Sequence, residues 1–334
     1  MELAFTLAFC VLTSFFFTWA ARKLKVSAVV GLIAAGLVIG SSFLKPLMLE
    51  PNTDAVLFLG NLGLIFLMFL TGMEISWSNF RKEGKDAAAV SFFAAVTPFC
   101  MGAAVSYFAF GFSPLTSLTI GVCMSITAEA ANARVMLEMR KLRTRVGSLM
   151  MGAGIIDDVF GISVFLVVSY LFVHTFATSE LMMLLLSIGA FFAGILANSC
   201  MGRESREAVL LERALLLFLV PFLFIAMGIE FNPQSLTLNP ALVLAVVSIA
   251  IIGKICGSML AKTVTDMSFR QLYLVGWGMN ARGAIELAIA FIAFRLGLLE
   301  TSVYSSLVIM ALATTLIFPF FLRSAIKRDP GVME

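Results

Sequence analysis

Two adjacent carboxylates, Asp157 and Asp158, stand in Gly-Ala-Gly-Ile-Ile-Asp-Asp-Val-Phe-Gly-Ile, residues 152–162, inside an apolar run that covers 146–173. Four more ionisable residues fall inside other apolar runs. They are Glu129 in Ser-Ile-Thr-Ala-Glu-Ala-Ala-Asn (125–132), Lys254 in Ile-Ile-Gly-Lys-Ile-Cys-Gly, and Arg282 and Glu286 in the stretch 276–286. A charge at the centre of a bilayer costs a few kcal/mol or more, so such residues face the protein interior and tend to serve function. Side chains of neighbouring residues on a helix point about 100° apart. One aspartate can therefore meet a partner while the other meets a cavity. Lys254 is the lysine of the span cores and needs a counter-ion, for which an aspartate of the 157–158 pair is the natural choice. The carboxylates of Asp157 and Asp158, the hydroxyl of Thr127, the amide of Asn132 and loosened backbone carbonyls such as that of Ala128 form an oxygen-rich set. It suits sodium or another small monovalent cation, or protons. Lys254, Glu129, Arg282 and Glu286 are the expected salt-bridge and coupling residues. The alternative reading is an acid–lysine pair that only ties two helices together.

The elements that position these residues must be membrane helices. Hydrophobic residues make up 60% of the 334 and charged residues 13%, against about a quarter charged in soluble domains. The mean hydropathy is +1.02. Windows of about 20 apolar residues can cross a bilayer, and eleven are expected: 3–20, 27–44, 55–75, 87–111, 115–134, 146–173, 181–200, 211–231, 241–261, 272–294 and 303–322. Turn chemistry separates them at Lys45-Pro46, Asn52, Ser113-Pro114, Asn232-Pro233 and Asn239-Pro240. Glu74 and Glu230 fall near segment ends and read as interfacial.

Basic residues follow the odd-numbered segments. Arg22, Lys23 and Lys25 follow the first, Arg81, Lys82 and Lys85 the third, and Arg134, Arg140, Lys141, Arg143 and Arg145 the fifth. Arg203, Arg206 and Arg213 follow the seventh, Lys262 and Arg270 the ninth, and Arg323, Lys327 and Arg328 the eleventh. The opposite loops hold Lys45 and Arg295. The positive-inside rule then places the N-terminus outside and the C-terminus inside. The basic cluster lies after the first apolar stretch, which argues against a cleaved signal peptide.

Two halves resemble each other. Gly-Leu-Ile-Ala-Ala-Gly from Gly31 matches Gly-Ala-Phe-Phe-Ala-Gly from Gly189, and the end of the third segment around Gly72 matches that of the eighth around Gly228. Helices two to six (27–173) then map onto helices seven to eleven (181–322). A five-helix shift inverts the topology, and inverted repeats with midplane sites are typical of secondary transporters. The repeat pairs the fifth segment with the tenth. Polar and charged residues at mid-span predict that both are discontinuous, which is tolerated at that depth only where protein or water covers the backbone. The whole chain, 1–334, reads as one membrane transporter domain with no soluble regulatory domain.

Several chemistries are disfavoured. The cysteines (Cys10, Cys100, Cys123, Cys200, Cys256) have no close-spaced pair and read as small apolar residues. His174, the single histidine, falls at a helix end. No His/Cys cluster suggests a transition metal, and no phosphate-binding loop suggests ATP coupling. No enzyme active site, cofactor or nucleic-acid partner is expected. The residues alone reach a secondary transporter that couples cations to protons. A sodium-coupled organic-anion symporter and a non-transporting scaffold are the alternatives from other classes.

Leu24–Gly40 (LKVSAVVGLIAAGLVIG), Gly63–Ile75 (GLIFLMFLTGMEI), GAGIIDDVFGI and Gly278–Ala290 (GMNARGAIELAIA) together resemble the monovalent cation:proton antiporter superfamily. The likeness is to its second branch, which holds bacterial sodium/proton antiporters and Kef-type potassium/proton proteins. The resemblance implies two crossed, unwound helices in a core domain, a panel domain, alternating access and a place in the cell inner (plasma) membrane. It implies that Asp158 is the principal ion- and proton-binding carboxylate, with Asp157 salt-bridged to Lys254. Paired aspartates resemble the electrogenic sodium antiporters. Arg282 and Glu286 match the charged motif of the second unwound helix. Thirteen-helix members carry two further helices after the sixth. These are absent here, which leaves the homodimer that the resemblance implies without a usual interface helix. Glu129 stands where relatives usually have an uncharged residue, and can neutralise half-helix dipoles or pair with Arg282.

Overall fold

The computed structural model describes residues 2–24, 26–50, 52–74, 84–142, 144–171, 178–201 and 206–333. His174 and the loop residues Lys25, Arg81, Lys82, Arg143 and Arg203 lie outside them, as does the side chain of Glu129. The described residues are helical with connecting turns. Among the described residues, seven helices are long and apolar enough to cross a membrane, and three shorter apolar ones accompany them. Contacts divide the chain into two compact units, Met1–Ser76 with Ala177–Asn232, and Trp77–Phe176 with Pro233–Glu334.

The first unit holds α1 (Leu3–Lys23), α2 (Ala28–Ile39), α3 (Thr53–Glu74), and, later in the chain, α8 (Thr178–Met201), α9 (Arg206–Phe218) and α10 (Val220–Glu230). Two of the expected windows end early or divide. The window 27–44 is helical only to Ile39, and a single π-turn follows at Lys45–Leu49 with Pro46 in its first turn. The window 211–231 divides at Leu219, because Pro221 lacks an N–H and its ring obstructs the preceding turn. Lipid offers little hydrophobic drive between helices, so close backbone packing matters more. The crossing of α2 and α10 depends on it. A methyl added at Gly36 would overlap the Phe224 carbonyl, and one at Gly228 would overlap the Gly36 carbonyl.

The second unit holds α4 (Lys85–Phe108), α5 (Pro114–Ser125), α6 (Glu129–Glu138), α7 (Arg145–Leu171), α11 (Gln234–Leu238), α12 (Pro240–Leu260), α13 (Phe269–Gly278), α14 (Ala284–Arg295) and α15 (Thr301–Arg328). The windows 115–134 and 272–294 are both broken, as their mid-span polarity predicts: α5 stops before α6, and α13 before α14. Start signals are explicit. Ser113 accepts from Thr116 N at 3.1 Å with Pro114 at the first helical turn. Ser268 and Gln271 form a reciprocal capping box ahead of α13. Helix α4 packs along α5, α7 and α12, and α15 runs beside α12, α13 and α14. A stacked pair, Trp277 and Phe321, with centroids 4.2 Å apart, fixes α13 to α15. Beyond α15, the turn Pro330–Met333 folds back and buries Met333 in the cluster that contains Met136, Val146, Leu149 and Leu272.

Candidate functional site

The site is the crossing of the two breaks, and it lies wholly within the second unit. At the first break Ile126 and Ala128 are extended, with ψ of 146° and 94°. At the second, Gly283 is extended. The broken strands join through one main-chain bond, Ala128 N–H to the Ala281 carbonyl at 2.7 Å. Gly283 permits this approach, since a Cβ there would lie 2.5 Å from that of Ala128.

Breaking a helix orphans its last carbonyls and leaves a partial negative charge at that end. Two cations occupy the end of α5. Arg282 Nη2 donates to the Met124 carbonyl at 2.7 Å, and its Nη1 donates to the carbonyls of Ile126 and, at 3.5 Å, Cys123. Lys254 Nζ donates to the Ser125 carbonyl. The last carbonyls of α5 are thus engaged by the protein's own cations. The Ala128 carbonyl accepts from Asn132 N at 3.4 Å, the first turn of α6.

Lys254, on α12, also forms an ion pair with Asp157 of α7, Nζ to Oδ2 at 2.7 Å, with both side chains fully buried. Thr127 Oγ1 donates to the same Asp157 oxygen and lies 3.2 Å from the Met279 carbonyl. One carboxylate oxygen therefore gathers a lysine from α12, a hydroxyl from the first break and, through Thr127, the second break. Asp158 is buried on the adjacent position of α7. Asn132 is buried, and its Oδ1 has no hydrogen-bond partner among the described residues. Arg282 Nε, in the second break, lies 3.6 Å from Oε2 of Glu286 in the first turn of α14, an ion pair too long to be a hydrogen bond. Both groups are buried.

Of the expected set, Asp157, Thr127 and Lys254 are in direct contact, Arg282 caps the same half-helix and pairs with Glu286, and Asp158, Asn132 and Ala128 border them. Sequence reasoning missed Ser125, whose carbonyl seats Lys254. It missed Asn280, whose Nδ2 donates to the Gly276 carbonyl at 2.9 Å. It also missed Thr315 of α15, which bonds the main chain of Arg282. Asn280 stood inside the polar stretch 276–286 and could have been found; Thr315 is one of two adjacent threonines in an ordinary apolar helix.

Comparison with known proteins identifies the family. The family profile for the sodium/hydrogen exchanger, transmembrane, matches residues 11–202 and 176–327. The high-affinity Na(+)/H(+) antiporter NhaS3 of Synechocystis is 24% identical over 87% of this chain and 77% of its own length. A Na(+)/H(+) antiporter of Enterococcus hirae is 24% identical over 92% of this chain and 94% of its own. The Na(+)/H(+)-K(+) antiporter GerN of Bacillus cereus is 24% identical over 90% of each. The solved sodium proton antiporter MjNhaP1 from Methanocaldococcus jannaschii shares the fold, with a TM-score of 0.66 over 98% of both chains at 13% identity. With most of its length matched by that profile, the chain belongs to the sodium/hydrogen exchanger family, within the monovalent cation:proton antiporter superfamily.

Proposed function

We propose that the chain is a secondary active antiporter that exchanges sodium, or lithium, for protons by alternating access in the cell inner membrane. The observation that carries this reading is the buried Lys254–Asp157 pair at the crossing of two broken helices. A buried pair of this kind is poor support for stability alone, because desolvation offsets most of its attraction. It makes sense where the charges must change partners. Asp158, beside it, is the principal exchange carboxylate, and Asp157 with Thr127 completes the cation's oxygen ligands. Asn132 and the Ala128 carbonyl are the further ligands. Lys254, Arg282, Glu286 and Glu129 set the field in which the exchange occurs. The paired aspartates favour electrogenic exchange.

Eleven spans, an outside N-terminus and an inverted repeat complete the proposal, with residues 1–334 as one transporter domain. A detail of packing supports the repeat. Gly36 lies 158 residues before Gly194, and Gly72 lies 156 before Gly228, the spacings of the sequence match. In α2 and α10, Gly36 faces Gly228. In α3 and α8, a methyl at Gly72 would overlap the Phe191 carbonyl and one at Gly194 the Phe69 carbonyl. The two close crossings are therefore equivalent under the proposed exchange of halves. A homodimer in the bilayer is the proposed assembly.

Solid-supported-membrane electrophysiology of the reconstituted protein, with sodium, lithium and potassium across pH, tests the function. Sodium- and lithium-evoked currents are expected, and their absence at every pH removes sodium exchange as an electrogenic process. Potassium belongs in the series because GerN, a relative, is named for sodium, protons and potassium. Thr127→Val should retain the fold but raise the half-saturating sodium concentration by about tenfold, since a lost hydrogen bond to a charged group is worth about 1.5–3 kcal/mol. Sodium titration of proton flux measures this.

A further inference from the structure

Threonine and serine hydroxyls inside helices usually return to the carbonyl three or four residues earlier. This chain follows that habit at Thr71, Thr119, Ser187 and Thr314, whose hydroxyls donate to Leu67, Leu115, Met183 and Met310 at 2.8–2.9 Å. Thr315, next to Thr314 on α15, does otherwise. Its Oγ1 accepts from Arg282 N at 3.3 Å and donates to the Arg282 carbonyl at 2.9 Å. Arg282 stands in the second break, where its peptide groups are outside the regular ladder of α13 and α14. An unserved main-chain group at membrane depth costs several kcal/mol. One buried hydroxyl serves both.

The main chain held by Thr315 is the one whose side chain reaches across to the carbonyls of Cys123, Met124 and Ile126. The residue before it, Ala281, accepts the bond that joins the two breaks. Among the described residues, the hydrogen bonds of Asp157 and Lys254 go to each other, to Thr127 and to the Ser125 carbonyl, and not to Thr315. Any shift in the Arg282 main chain moves the guanidinium relative to the end of α5, and so moves Ser125 and Thr127, which touch Lys254 and Asp157.

We propose that Thr315 is a positioning residue for cation exchange: by clamping both main-chain groups of Arg282 to the rigid helix α15, it sets the register of the two crossed breaks. The proposal rests on the antiport reading above, so its test carries one readout that needs transport and one that does not. The full-length protein is compared with Thr315→Val, Thr315→Ser and Thr314→Val. Thr315→Val should raise the half-saturating sodium concentration by about fivefold, the equivalent of one ordinary hydrogen bond. Thr315→Ser should restore the original value, and Thr314→Val should leave it unchanged. Hydrogen–deuterium exchange over 276–286 should be faster in Thr315→Val than in Thr314→Val. If Thr315→Val does not fold, Thr315→Ala carries the same comparison. The clamp is overturned if the Thr315 and Thr314 variants match in both readouts, or if Thr315→Val lowers only thermal stability at unchanged half-saturation. Faster exchange at 276–286 in a protein without sodium flux upholds the clamp and overturns the antiport reading instead.

Discussion

Asparagine at position 158 is expected to abolish sodium-driven proton flux in proteoliposomes while leaving thermal stability in detergent within about a kcal/mol of the parent protein. Asparagine at 157 is expected to do the reverse in part: to lower stability strongly as well as impairing exchange. The contrast follows from the roles proposed for the two: one neutralises a buried lysine, the other carries the exchanged ion. Asp157 neutralises Lys254 at 2.7 Å in a place with no exposure for either side chain. Removing its charge strands a buried ammonium, and breaking a buried pair from one side costs about 3–5 kcal/mol. The Ser125 carbonyl still accepts from Lys254, but a neutral dipole does not replace a charge. Asp158 is assigned the exchangeable ion, so its neutral amide removes a proton carrier and a cation ligand at once. Flux and thermal unfolding measured on the same preparations separate the two. Full flux in Asp158→Asn would falsify the assignment of Asp158; equal stability losses in both variants would show that the aspartates share one structural role.

Alanine at Gly228 should prevent the first unit from packing, and the measurement is the yield of monodisperse protein together with its unfolding temperature. The added methyl would overlap the carbonyl oxygen, carbonyl carbon and Cα of Gly36, all of them backbone. No rotamer change can relieve that clash, so α2 and α10 must move apart. Overpacking of flexible neighbours costs about 1–3 kcal/mol, and a backbone clash belongs at or above the top of that range. Gly189→Ala is the control. It lies in α8 with nothing within 4 Å of the added methyl, and replacing a helical glycine there should stabilise by about 0.5–1 kcal/mol. A Gly228→Ala protein as stable as the control would show that the α2–α10 crossing is looser than the structure has it.

The parts of this arrangement that show in sequence are those where polarity contradicts its surroundings. Ser125–Asn132 and Gly276–Glu286 stand out at mid-span, and both helices break there. Lys254 and Asp157 stand out because neither charge can be left alone in a membrane, and they meet. What does not show is anything carried by the main chain. The capping of the α5 carbonyls by Arg282 depends on where two irregular backbones cross, which residue type and spacing do not give. Thr315 has no distinguishing mark beside Thr314; only its partner, the main chain of Arg282 rather than a carbonyl of its own helix, separates them. Hydropathy windows also run through places where a helix ends or a proline divides it, as at Ile39 and Leu219.

The seat of Lys254 has a further consequence. Its ammonium rests on the Ser125 carbonyl and Asp157 Oδ2, so a cation that takes that carboxylate oxygen must evict a competitor attached to the same protein. A tethered competitor acts at an effective concentration on the order of millimolar or higher, whatever the ionic composition outside. A measured sodium affinity is then a displacement constant, the ratio of two occupancies of one seat. Shortening or loosening the tether would change apparent affinity without altering a single sodium ligand.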